Sequence, residues 1–296
     1  MQQQRSIIDE LKHQYNTGGI FMKLIFINVI VFLVINILGV TGRLVEGQTQ
    51  ATLESIIYNV FTVQTDLKAF ITHPWGLITS IFAHRGFLHL LFNMLLLYTF
   101  GRMFLHYFSQ KRLLYTYLLG GIFGGLFEIG ATIFPAIATS SAIGASGAVM
   151  AIIFAVSAHK PQMEISLFGT FRVKLYMIAG VLFLVNFVSL GVPDGTAHFA
   201  HIGGAALGFL SVQQLKSSNN IVTMAQRFGD WLLSLFRRKP KTSGGRPNAR
   251  RMTDEEYNMD KKQRQEQVDR ILDKISKSGY ESLSKKEKDF LFKQSK

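Results

Sequence analysis

The sequence predicts an all-α polytopic membrane protein: a bundle of six transmembrane helices with a small helical cytosolic tail. Three observations carry that expectation. Of 296 residues, 48% are apolar and 17% charged, yet the net charge is +13; a chain this apolar and this basic belongs first to the membrane class. Six stretches approach the roughly 20 apolar residues that a helix needs to cross a hydrocarbon core. They are Leu24 to Gly42, Gly86 to Gly101, Leu113 to Phe134, a run from near Ile143 to His159, Leu175 to Pro193, and Gly195 to Leu215. The basic residues are also unevenly shared. With both ends on one side, every Lys and Arg except Arg43, Lys68 and Arg85 falls in segments on that side. The positive-inside rule makes those segments, and both termini, cytoplasmic.

Residues 1–22 open with MQQQRSIIDELKHQYNTGG. This is polar, and it reads as a cytosolic N-terminal segment without a cleavable signal peptide. Residues 23–216 hold the spans. The first outer loop, Arg43 to Trp75, is long, and Leu53, Ile56, Ile57, Val60 and Phe61 recur in it at helical spacing. That predicts a helix lying in the interface, either functional or an ordinary packing lid. In 217–252, Met224, Phe228, Trp231, Leu232, Leu235 and Phe236 form an apolar stripe, followed by Arg237, Arg238, Lys239 and Lys241. An amphipathic helix on the inner leaflet, with a basic edge for anionic lipid and then a flexible basic linker, fits this pattern. Residues 253–296 read as a helical hairpin. Thr253 and Glu256 offer a capping box, Val268, Ile271, Leu272 and Ile275 one apolar face, and Gly279 a C-terminal cap. A second helix starts at Ser284 and carries Phe290, Leu291 and Phe292. Acidic residues interleave with the basic ones and no nucleic-acid motif occurs, so membrane lipid rather than nucleic acid is the expected contact.

Several chemistries are excluded. Without cysteine there is no disulfide, thiolate metal site or cysteine nucleophile. No HExxH-like site and no paired aspartates within spans occur, so neither a metalloprotease nor an aspartyl intramembrane protease fits. No metal and no cofactor is expected, and nothing points to a particular oligomeric state.

Polar side chains within spans are functional candidates by default. Three clusters stand out. In "HRGFLHLLFN", His89 and Asn93 are four apart on one helical face, with His84 outward and nearer water. Interhelical hydrogen bonding, worth about 1 kcal/mol per contact, is the plainer use of such residues. In "IGASGAVMA", Ser146 sits among Gly144, Gly147, Ala148 and Ala151, small enough for a neighbouring helix to come very close. A packing serine in such a seam is the commoner case. In "AHFAHIGGAALG", His201, Gly204, Ala205 and Gly208 share a face at spacings of three and four. His198 shares that face one turn outward, and spacing alone does not choose between the two histidines.

Together the clusters make a chemical set. A serine needs a base to become a nucleophile, and His201 could serve. A developing oxyanion needs donors, which His89, Asn93 and the Ser146 backbone N–H could supply. The span directions put all three clusters at one depth, just below the outer surface. The inner half of the spans is apolar apart from Glu128, read as a packing or inner-leaflet hydrogen-bonding group.

The "GASG" at 144–147, the His89-to-Asn93 pair and the "AHIGGAALG" at 200–208, set in six spans, resemble the rhomboid family of intramembrane serine proteases. The resemblance covers roughly Phe21 to Lys216. It implies a Ser–His dyad with no acidic third member: Ser146 as nucleophile and His201 as base. It also implies oxyanion residues at His89 and Asn93 and a histidine at the mouth of the active site, His84. The implied substrates are single-span membrane proteins cut near the outer face of the membrane. In "PWGLIT", Gly76 stands beside Trp75 where the family usually has arginine, and Met150 stands where it often has a tyrosine stacked on the imidazole. The tail resembles a helical appendage of some bacterial rhomboids, which implies a bacterial inner membrane. Two other readings remain. A proteolytically inactive rhomboid-like binding factor typically lacks the serine or histidine, and both are present. A small transporter requires a polar path through the whole membrane, and the inner half lacks one.

Overall fold

The computed structural model describes residues 6–45, 48–134, 141–167, 170–192, 194–213, 215, 217–236, 267–277 and 279–294. They fall into two units, residues 1–105 with 110–241, and residues 106–109 with 242–296.

In the first unit, α1 (Ile7–Thr17) is capped by Ser6, whose Oγ accepts the Asp9 N–H at 3.1 Å. Three apolar helices follow that are long enough to cross a membrane: α2 (Gly19–Leu44), α6 (Phe87–Phe104) and α7 (Gln110–Gly130) with its 3₁₀ extension to Ile133. Between α2 and α6 lie α3 (Gln48–Phe61), α4 (Leu67–Thr72) and α5 (Gly76–Thr79). The helix expected in the first loop is therefore α3. Ile56 is exposed on it and Ile57, Val60 and Phe61 are half-buried; the Leu53 side chain lies outside the described residues.

The remaining apolar stretches each contain a 14-residue helix: α8 (Ser146–His159), α9 (Leu175–Val188) and α10 (His198–Ser211). At about 1.5 Å per residue such a helix reaches about 21 Å, short of a roughly 30 Å core. Among the described residues, three helices have a full spanning length and three are shorter. The shortfall arises because an apolar run counts residues whatever their backbone does. In the stretch to Pro193 the helix stops at Val188, and in the last stretch it begins only at His198, after an Asp194–Thr196 turn.

The core is the mutual packing of α7, α8 and α10, with α6 against α8 and α2 against α6. Buried polar groups tie the helices. Asn28 of α2 donates to the Tyr117 hydroxyl of α7 at 3.1 Å, and Tyr117 donates to the Ile81 carbonyl at 3.4 Å. Arg112, counted from sequence as a loop charge, is only 3% exposed. It donates to the Ser211 carbonyl and to Asn220 Oδ1 (2.5 and 2.8 Å), fastening the start of α11 (Ile221–Phe236) to α7 and α10. The α11 stripe of Met224, Phe228, Trp231, Leu235 and Phe236 is exposed. Two short antiparallel pairs complete the unit: β1 (Val63–Gln64) with β2 (Ser141–Ala142), and β3 (Glu164–Leu167) with β4 (Phe171–Lys174).

In the second unit, a helix over 267–277 ends at Gly279, which has φ of 75° and donates to the Ile275 carbonyl at 2.8 Å. Its face has Ile271 buried, Val268 and Ile275 half-buried, and Leu272 exposed. The capping pair Thr253 and Glu256 lies outside the described residues. The helix Lys285–Gln294 opens with a capping box: the Ser284 N–H and Oγ–H donate to Glu287 Oε2 at 2.7 and 2.8 Å. The Ser284 N–H, then its hydroxyl and the Lys274 ammonium, hold the Glu287 carboxyl down to about 2. A carboxyl whose folded value is depressed contributes stability above its ordinary value, which is lost as pH falls through the folded value. The protection of the 285–294 amides, taken against the unstructured exchange rate at each pH, should therefore be full above pH about 5 and fall as pH approaches about 2, and Ser284→Ala should remove most of that dependence.

Candidate active site

The loop before α8 is held from two sides. Val63 pairs with Ala142 and Gln64 with Ser141, and the Gly144 N–H donates to the Ser80 carbonyl at 3.0 Å. Gly144 has φ of 134°, which side chains other than hydrogen rarely permit. A Cβ there would stand 2.7 Å from His89 Cε1 and 2.9 Å from Nε2, and 3.7 Å from Ser146 Oγ. The missing side chain is thus the space in which the His89 ring and the serine hydroxyl meet. The His84 ring lies edge-on to His89 at 5.0 Å, and its Nε2 accepts the Ala145 N–H at 3.4 Å.

Ser146 is the first residue of α8, and no side chain caps that end. The first N–H groups of a helix have no partner within it and carry its positive dipole end. Here they lie at a small, partly open cleft lined by Ser80, Gly144, Ser146, Gly147, Ala197 and Ala200. Asn93 is buried one turn along α6 from His89, to whose carbonyl its Nδ2 donates at 2.8 Å. One amide hydrogen remains.

The third cluster reaches the same place because α10 packs backbone to backbone on α8. A Cβ on Gly204 would fall on the Gly147 carbonyl, and one on Gly208 on the Ala151 carbonyl. His201, one turn before Gly204, is therefore carried beside the residue that precedes Gly147. The two histidines of α10 differ in their commitments. His198 is buried with both ring nitrogens engaged, Nδ1 by Asn186 Oδ1 at 3.0 Å and Nε2 by Asp194 Oδ2 at 3.3 Å. His201 is half-buried and uses Nδ1 alone, on Asn186 Oδ1 at 2.5 Å. Neither its Nε2 nor Ser146 Oγ has a hydrogen bond among the described residues. Asp194 is held below the usual carboxylate range, first by the Thr196 N–H and then by the Thr196 hydroxyl and His198. Among the described residues no group of His, Asp and Glu could hold a metal ion.

Residues 72–216 match the family model of the rhomboid domain, and residues 252–296 that of a family of unknown function (DUF6576). Over 141 residues the chain is 30% identical to "Putative rhomboid protease YdcA" of Bacillus subtilis (strain 168), covering 47% of this chain and 68% of that protein. The chain belongs to the rhomboid family. It is also similar to two Arabidopsis thaliana proteins, "RHOMBOID-like protein 6, mitochondrial" (31% identity; 46% of this chain and 41% of the relative) and "RHOMBOID-like protein 4" (34%; 46% and 32%). It thus spans less than half the length of those two relatives. Family membership and the apolar helices make it an integral membrane protein.

Within this rhomboid, both departures from the family pattern have a local cause. Gly76 packs on the Thr62 backbone: a Cβ there would meet the Thr62 carbonyl, so an arginine has no room. Trp75 is anchored without it, its Nε1 donating to the Asn59 carbonyl at 3.0 Å with the His73 ring edge-on at 5.1 Å. Met150 is buried one turn below Ser146, and the imidazole of His201 is held instead from α9 by Asn186.

Two expectations need correction. His84, expected nearer water, is 2% exposed, packed against His89 and holding the Ala145 N–H of the loop before α8. Glu128, expected to make a packing or an inner-leaflet hydrogen bond, makes the packing one, near the end of α7 that carries the site rather than in the inner half. Its Oε2 accepts the Ala200 N–H at 3.0 Å, so it caps the start of α10. The sequence patterns do not single out Asn186, one of two polar residues, with Ser189, in the otherwise apolar "LFLVNFVSL".

Proposed function

We propose that this protein is an intramembrane serine endopeptidase that cuts single-span membrane proteins near the outer face of the membrane. The observation that carries the proposal is the close seam of α8 and α10, Gly204 on the Gly147 carbonyl, which joins a helix starting at Ser146, its Oγ unengaged, to one that carries His201 with Nδ1 alone engaged. His201 takes the Ser146 proton as Oγ attacks a peptide carbonyl. The oxyanion is met by the Ser146 N–H, His89 and Asn93. The proton passes from His201 to the leaving amine, and the acyl-enzyme forms. Water then attacks the ester, giving up its proton to His201, and Ser146 Oγ leaves with that proton restored. His84 supports the loop that carries Ser146.

The same reading assigns the rhomboid domain to 23–216, with six spans, both termini cytoplasmic, and the inner membrane of a bacterium as its place. Residues 217–252 lie on the inner leaflet through the exposed α11 stripe, with membrane lipid as partner, and 253–296 form a cytosolic appendage.

Labelling by a serine-reactive fluorophosphonate tests the proposal. The wild-type protein in micelles should be labelled and Ser146→Ala should not. Equal labelling of the two would remove Ser146 as nucleophile, and absence of labelling in both would favour the inactive binding factor.

A further inference from the structure

We propose that Asn186 is a positioning residue for the base, so that the site works as a Ser–His–Asn relay rather than as a bare Ser–His pair. The inference rests on the proposed roles of Ser146 and His201. Asn186 Nδ2 donates to the Leu182 carbonyl of its own helix at 2.8 Å. That donation fixes which way the amide faces and turns Oδ1 toward α10. An amide oxygen only accepts, and it has two lone pairs. Both are used, by Nδ1 of His198 at 3.0 Å and Nδ1 of His201 at 2.5 Å.

The consequence is a tautomer. Because Oδ1 cannot donate, His201 must carry a proton on Nδ1, and its neutral ring then has the lone pair on Nε2. That is the nitrogen a base needs. A neutral amide orients the imidazole without placing a charge within the membrane, where an ionised side chain is costly. His198 Nδ1 lies against the other side of the same oxygen, and its Nε2 faces the Asp194 carboxylate, an acceptor only, at 3.3 Å. In other hydrolases an asparagine orients the catalytic histidine in the same way. Here it comes from α9, and Met150 stands at the position where an aromatic ring would otherwise hold the imidazole.

The test uses the full-length protein with Asn186→Leu, which removes the acceptor at similar volume, and Asn186→Asp, which restores one. Two readouts are taken. Imidazole ¹⁵N spectra in the Ser146→Ala background report the His201 tautomer without turnover, and kcat and KM are measured on a single-span substrate. In the parent, His201 should be the Nδ1–H tautomer, and Asn186→Leu should shift it toward Nε2–H. Turnover should fall about 100-fold with KM unchanged, the cost of a misplaced catalytic group. Asn186→Asp should recover part of kcat, limited by the Leu182 carbonyl that its second oxygen would face. An unchanged tautomer with full turnover in Asn186→Leu would overturn the proposal. So would loss of thermal stability and activity in both variants alike, which marks a merely structural residue. Cleavage persisting in His201→Ala would instead overturn the Ser–His reading, and the tautomer measurement would still decide whether Asn186 sets the ring.

Discussion

Replacing His201 by alanine is expected to lower cleavage of a single-span substrate by about 10⁴-fold or more, the scale at which loss of the base disables a serine nucleophile. Replacing His198 should leave substantial activity. The difference follows from what each ring touches. His198 has both nitrogens committed, to Asn186 and Asp194, so its loss weakens a support. His201 has only Nδ1 committed, so its loss removes a ring nitrogen still open to act as the base. Turnover of the two purified variants against one substrate decides this, with thermal melting to confirm that both are folded. A dead His198→Ala beside an active His201→Ala would reverse the assignment.

The second large effect is expected at Gly204. Leucine there would drive a Cβ into the Gly147 carbonyl, with the Gly147 backbone on every near side and no flexible side chain to yield. Overpacking of this kind costs roughly 3 kcal/mol or more when the obstacle is backbone. Helix association in a membrane depends on such close approach, because lipid supplies no hydrophobic drive between helices. Gly204→Leu should therefore melt well below the wild type and lose fluorophosphonate labelling as α10 lifts from α8. Gly180→Ala is the control. It lies in α9 with nothing within 4 Å of its added Cβ, and should be neutral or slightly stabilising. A Gly204→Leu protein with unchanged melting would mean that the seam is not tightly packed in solution.

Much of the bundle could be read from the chain because a membrane imposes local rules. Apolar runs mark helices, and each of the runs Leu24 to Gly42, Gly86 to Gly101 and Leu113 to Phe134 holds one of the three long helices α2, α6 and α7. The face shared by His201, Gly204 and Gly208 was readable for the same reason: spacings of three and four are a property of one helix. The ends of α8, α9 and α10 were not, since turns such as that at Asp194–Thr196 depend on polar contacts rather than on hydropathy. Glu128 finds its partner, the Ala200 N–H, 72 residues away, and His84 finds its partner in a loop 61 residues on, so neither contact is a property of one helix.

By itself, then, the sequence determined the class of molecule and the residue types at each cluster, because hydropathy and helical periodicity are local. It also determined the small residues at Gly147, Gly204 and Gly208, which permit close approach only because they lack side chains. The tertiary structure alone decided which of two histidines keeps a nitrogen unengaged, and which residue holds its ring. Asn186 is 12 residues from His198 and 15 from His201, on a different helix. A hydrogen bond between helices depends on how they cross, and no periodicity within either one encodes that.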